Sequence, residues 1–527
     1  TTMFRIIPII TILVNTRCAS VSICSGLLPE EQVNPIWQSL YICDKMTSVW
    51  MFDHVMGCKD RRGIGMAIVF AMAVPHPPII IPEIGRGEER KIQSTIDGYE
   101  EAARMAAGFD PDTIVVLSPH STVYSDYFHI SPGKSAKGDF GRFGARKVSV
   151  EMEYDAEFVH RLSMLAEKEG LPAGTLGERD KELDHGTLVP LYFLQPYKLK
   201  AKLVRIGISG LSFPDHYRLG KLIARISDDL NRKTVFIASG DLSHKLKEDG
   251  PYGFAGEGPE FDRQIIDILG SGDFVKMFDF TPAFCDAAGE CGLRSFIVMA
   301  GALDGKSVQP KLYSYEGPFG VGYGICSFEI TGTDPNREFE RIYIEKTRQE
   351  AQKRRAEEDP YVRLARLSLE TYVRTGKPAS LPDDLPQEML GKRAGVFVSI
   401  YKHGQLRGCI GTIEPVTNCV AEEILRNAIS SGTEDPRFDR VRESELDDLI
   451  YSVDVLMEKE PVESLSQLDV KRYGVIVTKG FRRGLLLPNL DGVDDVETQL
   501  AIAKRKAGIR VDDEDVKIER FEVVRHK

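Results

Sequence analysis

From residue 66 onward, the apolar positions alternate between two periods. Short runs rich in β-branched residues read as buried strands: MAIVFAMAVPH at 66–76, TIVVLSPH at 113–120, AKLVRIGIS at 201–209 and KTVFIAS at 233–239. Between them, residues 88–108, 155–170, 216–231 and 259–272 space their apolar side chains at the helical period. The second of these stops on Gly170, a natural C-cap. Strands alternating with helices predict an α/β domain over 66–332, a mostly parallel sheet with helices on both faces, closed by the strand-like run 318–331.

The pattern changes twice after that domain. Residues 333–358 are mostly charged, with helix-forming composition and no apolar stripe wide enough for a core. They predict a solvated helical linker carrying few contacts. Residues 359–527 open on an amphipathic helix from Pro360. Two strands around a turn at His403-Gly404, a helix at 418–431 and further strands at 449–458 and 474–488 follow. Such hairpin-like runs predict a smaller α+β domain with an antiparallel sheet. The two domains are expected to fold separately, with the boundary between Gly332 and Pro360.

Residues 1–65 follow neither period. They hold both tryptophans, Trp37 and Trp50, and four of the nine cysteines, Cys18, Cys24, Cys43 and Cys58. The apolar stretch Phe4 to Val14 would make a poor signal peptide, because it lacks a clear basic flank and contains Pro8. The reading preferred here is a leader that is disordered or an over-extended translation. Arg61-Arg62-Gly63 resembles a purine-rich ribosome-binding site read as protein, a few codons ahead of Met66.

Composition narrows the function classes. A net charge of −11 gives no overall pull toward nucleic acid or an anionic membrane. No apolar run approaches the roughly 18–20 residues that span a bilayer. The cysteines are scattered without a CxxC pair, which predicts free thiols in a reducing cytoplasm. Oligomerisation is left open.

Candidate chemistry gathers at histidines. His76, His120 and His244 each follow a predicted strand, and His185 lies in LDHGTLVPL. Ligands collect at the carboxyl ends of strands in open α/β sheets, so three imidazoles at one sheet edge predict a metal site. Two histidines and one carboxylate with open positions suit non-haem Fe(II). His54, His129, His160 and His216 lie outside such turns and are assigned no role. In the second domain, Arg407 beside Cys409 would lower the thiol pKa and make a nucleophile, if the strand is regular enough for the two to share a face. A buried structural cysteine is the commoner outcome for such a position. Gly408 and Gly411 suggest a close approach or a bulge. Arg437 is either an anion clamp or the ion-pair partner of Glu434 or Asp435, and His403 is expected to face solvent.

Taken in order, PHPPIIIPEIG, SPHS, LDHGTLVPLYFL, SGDLSHKL with GPYGFAGEGPEFD, and AGECGLRSF resemble the class III extradiol ring-cleaving dioxygenases, and within them the Memo-like branch. The resemblance covers nearly all of 66–332. It implies Fe(II) held by His76, His120 and a third ligand from the AGECG turn. Glu290 matches the carboxylate of the dioxygenases, whereas Cys291 aligns with the cysteine of the Memo-like proteins. A thiolate would favour Zn(II) or Cu(I) instead. Glu290 equally suits capping a helix that starts near Leu293. His185 and His244 would supply acid and base to a small aromatic diol, with His244 alternatively a ligand. Asp241 would orient an imidazole or stabilise its own turn. LRGCIGT, EDPRF, GLLLP and KAGI resemble the AMMECR-type domain over about 359–515, a family with no reaction to carry over. The fusion resembles two components of the AmmeMemoRadiSam system, and the chain has no CxxxCxxC cluster, so the resemblance implies a separate radical SAM protein as partner. A non-haem Fe(II) oxidoreductase is the leading expectation. A non-enzymatic metal-binding or scaffold protein beside a radical SAM enzyme is the alternative.

Overall fold

The computed structural model describes residues 67–490, 493 and 495–527. The expectations for residues 1–65, and the strand start at Met66, fall outside them. The first domain is built on strands β1 (Ile68–Val74), β2 (Thr113–Ser118), β3 (Lys202–Gly207), β4 (Thr234–Ser239), β5 (Lys306–Glu316) and β6 (Tyr323–Thr333). Their order across the sheet is β3-β2-β4-β1-β6-β5. The first four are parallel, β6 adds antiparallel to β1, and β5 adds antiparallel to β6. The run expected to close the sheet thus pairs on both sides.

Alternation explains why these strands look continuously apolar. Phe70, Met72 and Val74 of β1 face one cluster, with α1 (Gln93–Gly108) and α2 (His185–Leu194). Ala71 and Ala73 face another, with α3 (Phe213–Leu230) and α4 (Leu293–Ala302). Both faces are covered, so neither side of the strand can be polar.

The charged segment at 333–358 departs from expectation. It contains α5 (Phe339–Glu357), which is not a solvated linker. Phe339 is buried in the first domain's core, and the Tyr343 ring stacks on Phe278 with centroids 4.5 Å apart. Lys346 donates to Asp279 at 2.8 Å. The same turns grip the second domain: the Tyr343 hydroxyl donates to the His403 carbonyl at 2.8 Å, Thr347 Oγ1 lies 2.7 Å from His403 Nδ1, and Arg348 donates to Asp448 at 2.8 Å. His403, in a left-handed turn at φ 48°, packs against this helix instead of facing water. Few apolar residues are needed because aromatic rings and ion pairs make the contacts.

The second domain follows with α6 (Pro360–Thr375), β7 (Val396–Lys402), β8 (Gln405–Gly411), α7 (Val420–Thr433) and β9 (Leu449–Leu456). Next come β10 (Gly474–Lys479), β11 (Arg482–Leu486), α8 (Val496–Lys506), β12 (Lys517–Phe521) and β13 (Val523–His526). One antiparallel sheet runs β8-β7-β9-β13. The other joins the short strand Glu460–Pro461 to β12, β10 and β11. Helices α6 and α7 cover the inner face of the first sheet through Leu364, Leu369, Ile424 and Ala428. Among the described residues no helix is long and apolar enough to cross a membrane.

Candidate metal centre

Three neighbouring parallel strands, β2, β4 and β1, end at one edge, and each is followed two residues later by a potential ligand: His120, Asp241 and His76. Asp241, not His244, therefore occupies the third strand-end position, and His244 lies three residues further along. Asp241 Oδ1 accepts the His76 main-chain N–H at 2.8 Å, tying the β4 turn to the β1 turn. A fourth turn, ahead of α4, delivers Cys291. The Asp241 N–H donates to Cys291 Sγ at 3.3 Å, and the Cys291 N–H points back to the Asp241 carbonyl at 3.4 Å.

Donor atoms of His76, His120 and Cys291 all lie within 4.8 Å of one another. His76 Nε2 is 3.0 Å from His120 Nε2 and 3.7 Å from Cys291 Sγ. The tautomer of His76 follows from its partner. Ser239 Oγ gives its proton to the Gly186 carbonyl at 2.6 Å, so at His76 Nδ1, 3.0 Å away, it must accept. Nδ1 carries the hydrogen and Nε2 presents a lone pair to His120, so a proton or a cation must lie between the two rings. Two nitrogens each about 2.1 Å from one ion, at right angles, would stand about 3.0 Å apart. These residues fit a transition metal.

Glu290, expected beside the histidines, is turned away. Its Oε2 accepts the Leu293 N–H at 2.7 Å at the first turn of α4, the capping role its position also allowed. It belongs to neither group of convergent donors, whereas its neighbour Cys291 belongs to both. The second group is Asp241, His244 and Cys291. His185, the first residue of α2, lies outside both groups but stacks on His120 with centroids 4.1 Å apart. Asp184 caps α2 and so orients His185, by accepting from Thr187 N–H at 3.1 Å and from Ser118 Oγ.

Burial sets the charges. His76 is held well below its ordinary pKa by burial and by the neighbouring histidines, and burial lowers His120 too. Burial likewise brings His185 and His244 down to about 4. All four are neutral near pH 7, as ligation requires. Burial pushes Asp241 and Glu290 up to about 7 and Cys291 well above 9, so a thiolate here calls for a cation beside it.

Several contributors were not read from the sequence. Ser239 was visible as the single hydroxyl closing an apolar strand. Arg205, fully buried, donates to Ser131 Oγ and to the carbonyls of Glu182 and Asp180, pinning the segment that leads to His185. Its signal was a charge inside a β-branched strand. Phe143 and Tyr252 stand at the rim, their rings 5.5 Å from His185 and 5.1 Å from His244.

The second domain shows no activated thiol. In the β7–β8 ladder Ile400 faces Gly408 but Tyr401 faces Leu406, so Arg407 is bulged out. It forms a two-pronged pair with Glu445, both contacts 3.0 Å. Cys409 instead takes a hydrogen bond from Ser399 at 3.3 Å, and burial raises its pKa. Arg437 pairs with Asp435 and is not a free anion clamp. Gly408 marks a close approach: a Cβ there would sit 2.1 Å from the Ser431 carbonyl on α7.

Comparisons with known proteins bear on both halves. Residues 70–326 match the model for the catalytic LigB subunit of aromatic ring-opening dioxygenase, and residues 362–526 match the AMMECR1 model. A Clostridium acetobutylicum protein is 45% identical over 465 residues, covering 86% of this chain and 98% of its own. A Thermotoga maritima protein is 53% identical over 171 residues, 32% of this chain and 98% of its own. Among solved structures, an uncharacterized Pyrococcus horikoshii protein is 38% identical over 31% of this chain and 88% of its own, with a TM-score of 0.30.

Proposed function

Because this chain belongs to the family in which a LigB domain is followed by an AMMECR1 domain, we propose that its first domain is a transition-metal-dependent oxidoreductase of the ring-opening type, acting on a small aromatic diol. The observation that carries this reading is the 3.0 Å approach of His76 Nε2 and His120 Nε2, with Cys291 Sγ beside them at the strand ends. A bound Fe(II) would supply open coordination positions for the diol and dioxygen and the electrons that join them.

The chain's own residues supply the rest. His76, His120 and Cys291 hold the ion. His185, neutral and stacked on His120, is placed to take a proton from a substrate hydroxyl. With a single ion bound, His244, whose Nε2 has no hydrogen-bond partner among the described residues, remains able to exchange a proton with the substrate. Phe143 and Tyr252 offer ring faces at the rim to a flat substrate.

One observation favours a second reading. Cys291 takes the place expected for a carboxylate, and a thiolate suits Zn(II) or Cu(I) better than Fe(II). The domain would then bind metal without turnover and serve a separate radical SAM protein. The free thiols at every described cysteine fit the cytoplasm under either reading. The test is metal analysis of anaerobically purified protein, then oxygen uptake with Fe(II), Zn(II) or Cu(I) and a panel of catechols. Uptake with Fe(II) that His76→Ala abolishes supports the enzyme. Tight Zn(II) or Cu(I) binding without uptake supports the second reading.

A further inference from the structure

Donors at the sheet edge outnumber the needs of a single ion. They fall into two groups of three, His76–His120–Cys291 and Asp241–His244–Cys291, and no group takes in all five residues. Atoms each about 2.0–2.3 Å from one ion can lie no more than about 4.6 Å apart. An ion held by His76, His120 and Cys291 therefore leaves Asp241 and His244 outside the set of donors that converges on it. Within that triad, His244 Nε2 is sealed from solvent and has no hydrogen-bond partner among the described residues. A buried ring nitrogen left without a partner is costly unless something occupies the space it faces.

We propose that the pocket holds two divalent transition-metal ions bridged by Cys291 Sγ, one on His76 and His120 and the other on Asp241 and His244. This extends the metal-centre reading above and rests on it. The sulfur is suited to the bridge: a thiolate has three lone pairs, so it can bind two ions and still accept the Asp241 N–H at 3.3 Å. The donor sets differ, two imidazoles and sulfur against one imidazole, one carboxylate and sulfur. Both combinations are borderline in softness and accept Co(II), Zn(II) or Fe(II). Asp241 also couples the two halves mechanically. Its Oδ1 holds the His76 main chain at 2.8 Å, while Oδ2 lies 3.9 Å from His76 Nε2. Cys291 and Asp241 bring two negative charges. Two divalent ions thus leave net positive charge in the pocket, which an anionic diolate or hydroxide would neutralise.

The test counts ions without relying on turnover. Full-length metal-free protein is titrated anaerobically with Co(II), reading ion content after gel filtration and the thiolate-to-cobalt absorption band. Wild type should take two ions per chain. His244→Ala should take one and keep the thiolate band, and Asp241→Asn, whose amide oxygen can still accept the His76 N–H, should do the same. His76→Ala should also take one. Circular dichroism identifies any variant that has failed to fold, and the other second-triad variant then decides. A wild type that saturates at one ion lost in His76→Ala but kept in His244→Ala overturns the second ion and leaves the first site standing. No ion in any form overturns both.

Discussion

Gly240 and Gly292 touch: a Cβ built on Gly240 would lie 2.1 Å from the Gly292 Cα. This contact lets the β4 turn and the α4 turn exchange hydrogen bonds, and it sets Cys291 beside Asp241. Gly240→Ala must push the two turns apart. The expected outcome is a folded protein with metal affinity reduced at least tenfold, checked by Co(II) titration beside a melting curve. Wild-type affinity would show that the contact does not position the thiol.

Ser239 holds His76 in the tautomer that presents Nε2. Partners of this kind typically contribute 10–100-fold to metal affinity. Ser239→Ala should therefore weaken binding by about that factor while His76→Ala removes the ion bound there. Competition against a chromophoric chelator measures both.

The pH dependence of metal binding should come from the thiol. Cys291 is held protonated well above its ordinary range, so the first ion displaces its proton at every working pH. Apparent affinity should rise about tenfold per pH unit. Burial lowers His76 and His120 from their ordinary value and brings His185 and His244 to about 4, so protons compete with the metal for these rings less than for free imidazoles. The slope should stay near one above pH 7, and as the pH falls below that, protonation of Asp241, raised by burial to about 7, weakens the donor set it belongs to. A slope near two at pH 8 would mean that a second group gives up its proton together with the thiol.

Helix α5 should resist trypsin, although its sequence offers Lys346, Arg348, Lys353, Arg354 and Arg355. Cleavage needs the helix to open, and Tyr343, Thr347 and Arg348 hold it. Tyr343→Ala combined with Arg348→Ala should speed nicking at these sites several-fold. Rapid nicking of the wild type would restore the picture of a free tether.

Cys409 should react slowly with iodoacetamide at pH 7, because burial raises its pKa and Arg407 is engaged with Glu445. Mass spectrometry after timed alkylation reads this. Fast labelling at neutral pH would revive a nucleophilic role.

The sheet and its histidine edge were legible because a strand buried on both faces announces itself as an unbroken apolar run. His76 and His120 follow such runs at the same offset. The choice between Glu290 and Cys291 was not legible: which neighbour faces the pocket depends on a contact between Gly240 and Gly292, 52 positions apart. Whether Arg407 shares a face with Cys409 is not legible in the sequence, because a bulge is a property of two strands, and only the register against Ile400 and Tyr401 places it. The role of α5 was hidden because Tyr343, Thr347 and Arg348 contribute polar and aromatic contacts to a helix with no apolar stripe.

Tyr343 belongs to both halves of the chain, its ring on Phe278 and its hydroxyl on His403. That makes the length of α5 a phase as well as a distance. Each residue added to a helix turns everything beyond it by about 100° and advances it about 1.5 Å. One insertion after Tyr343 would swing Thr347 and Arg348 off His403 and Asp448, and a full heptad would restore the angle only by carrying them about 10 Å too far. Neither half can drift in spacing against the other without losing one set of grips, so α5 works as a gauge between them.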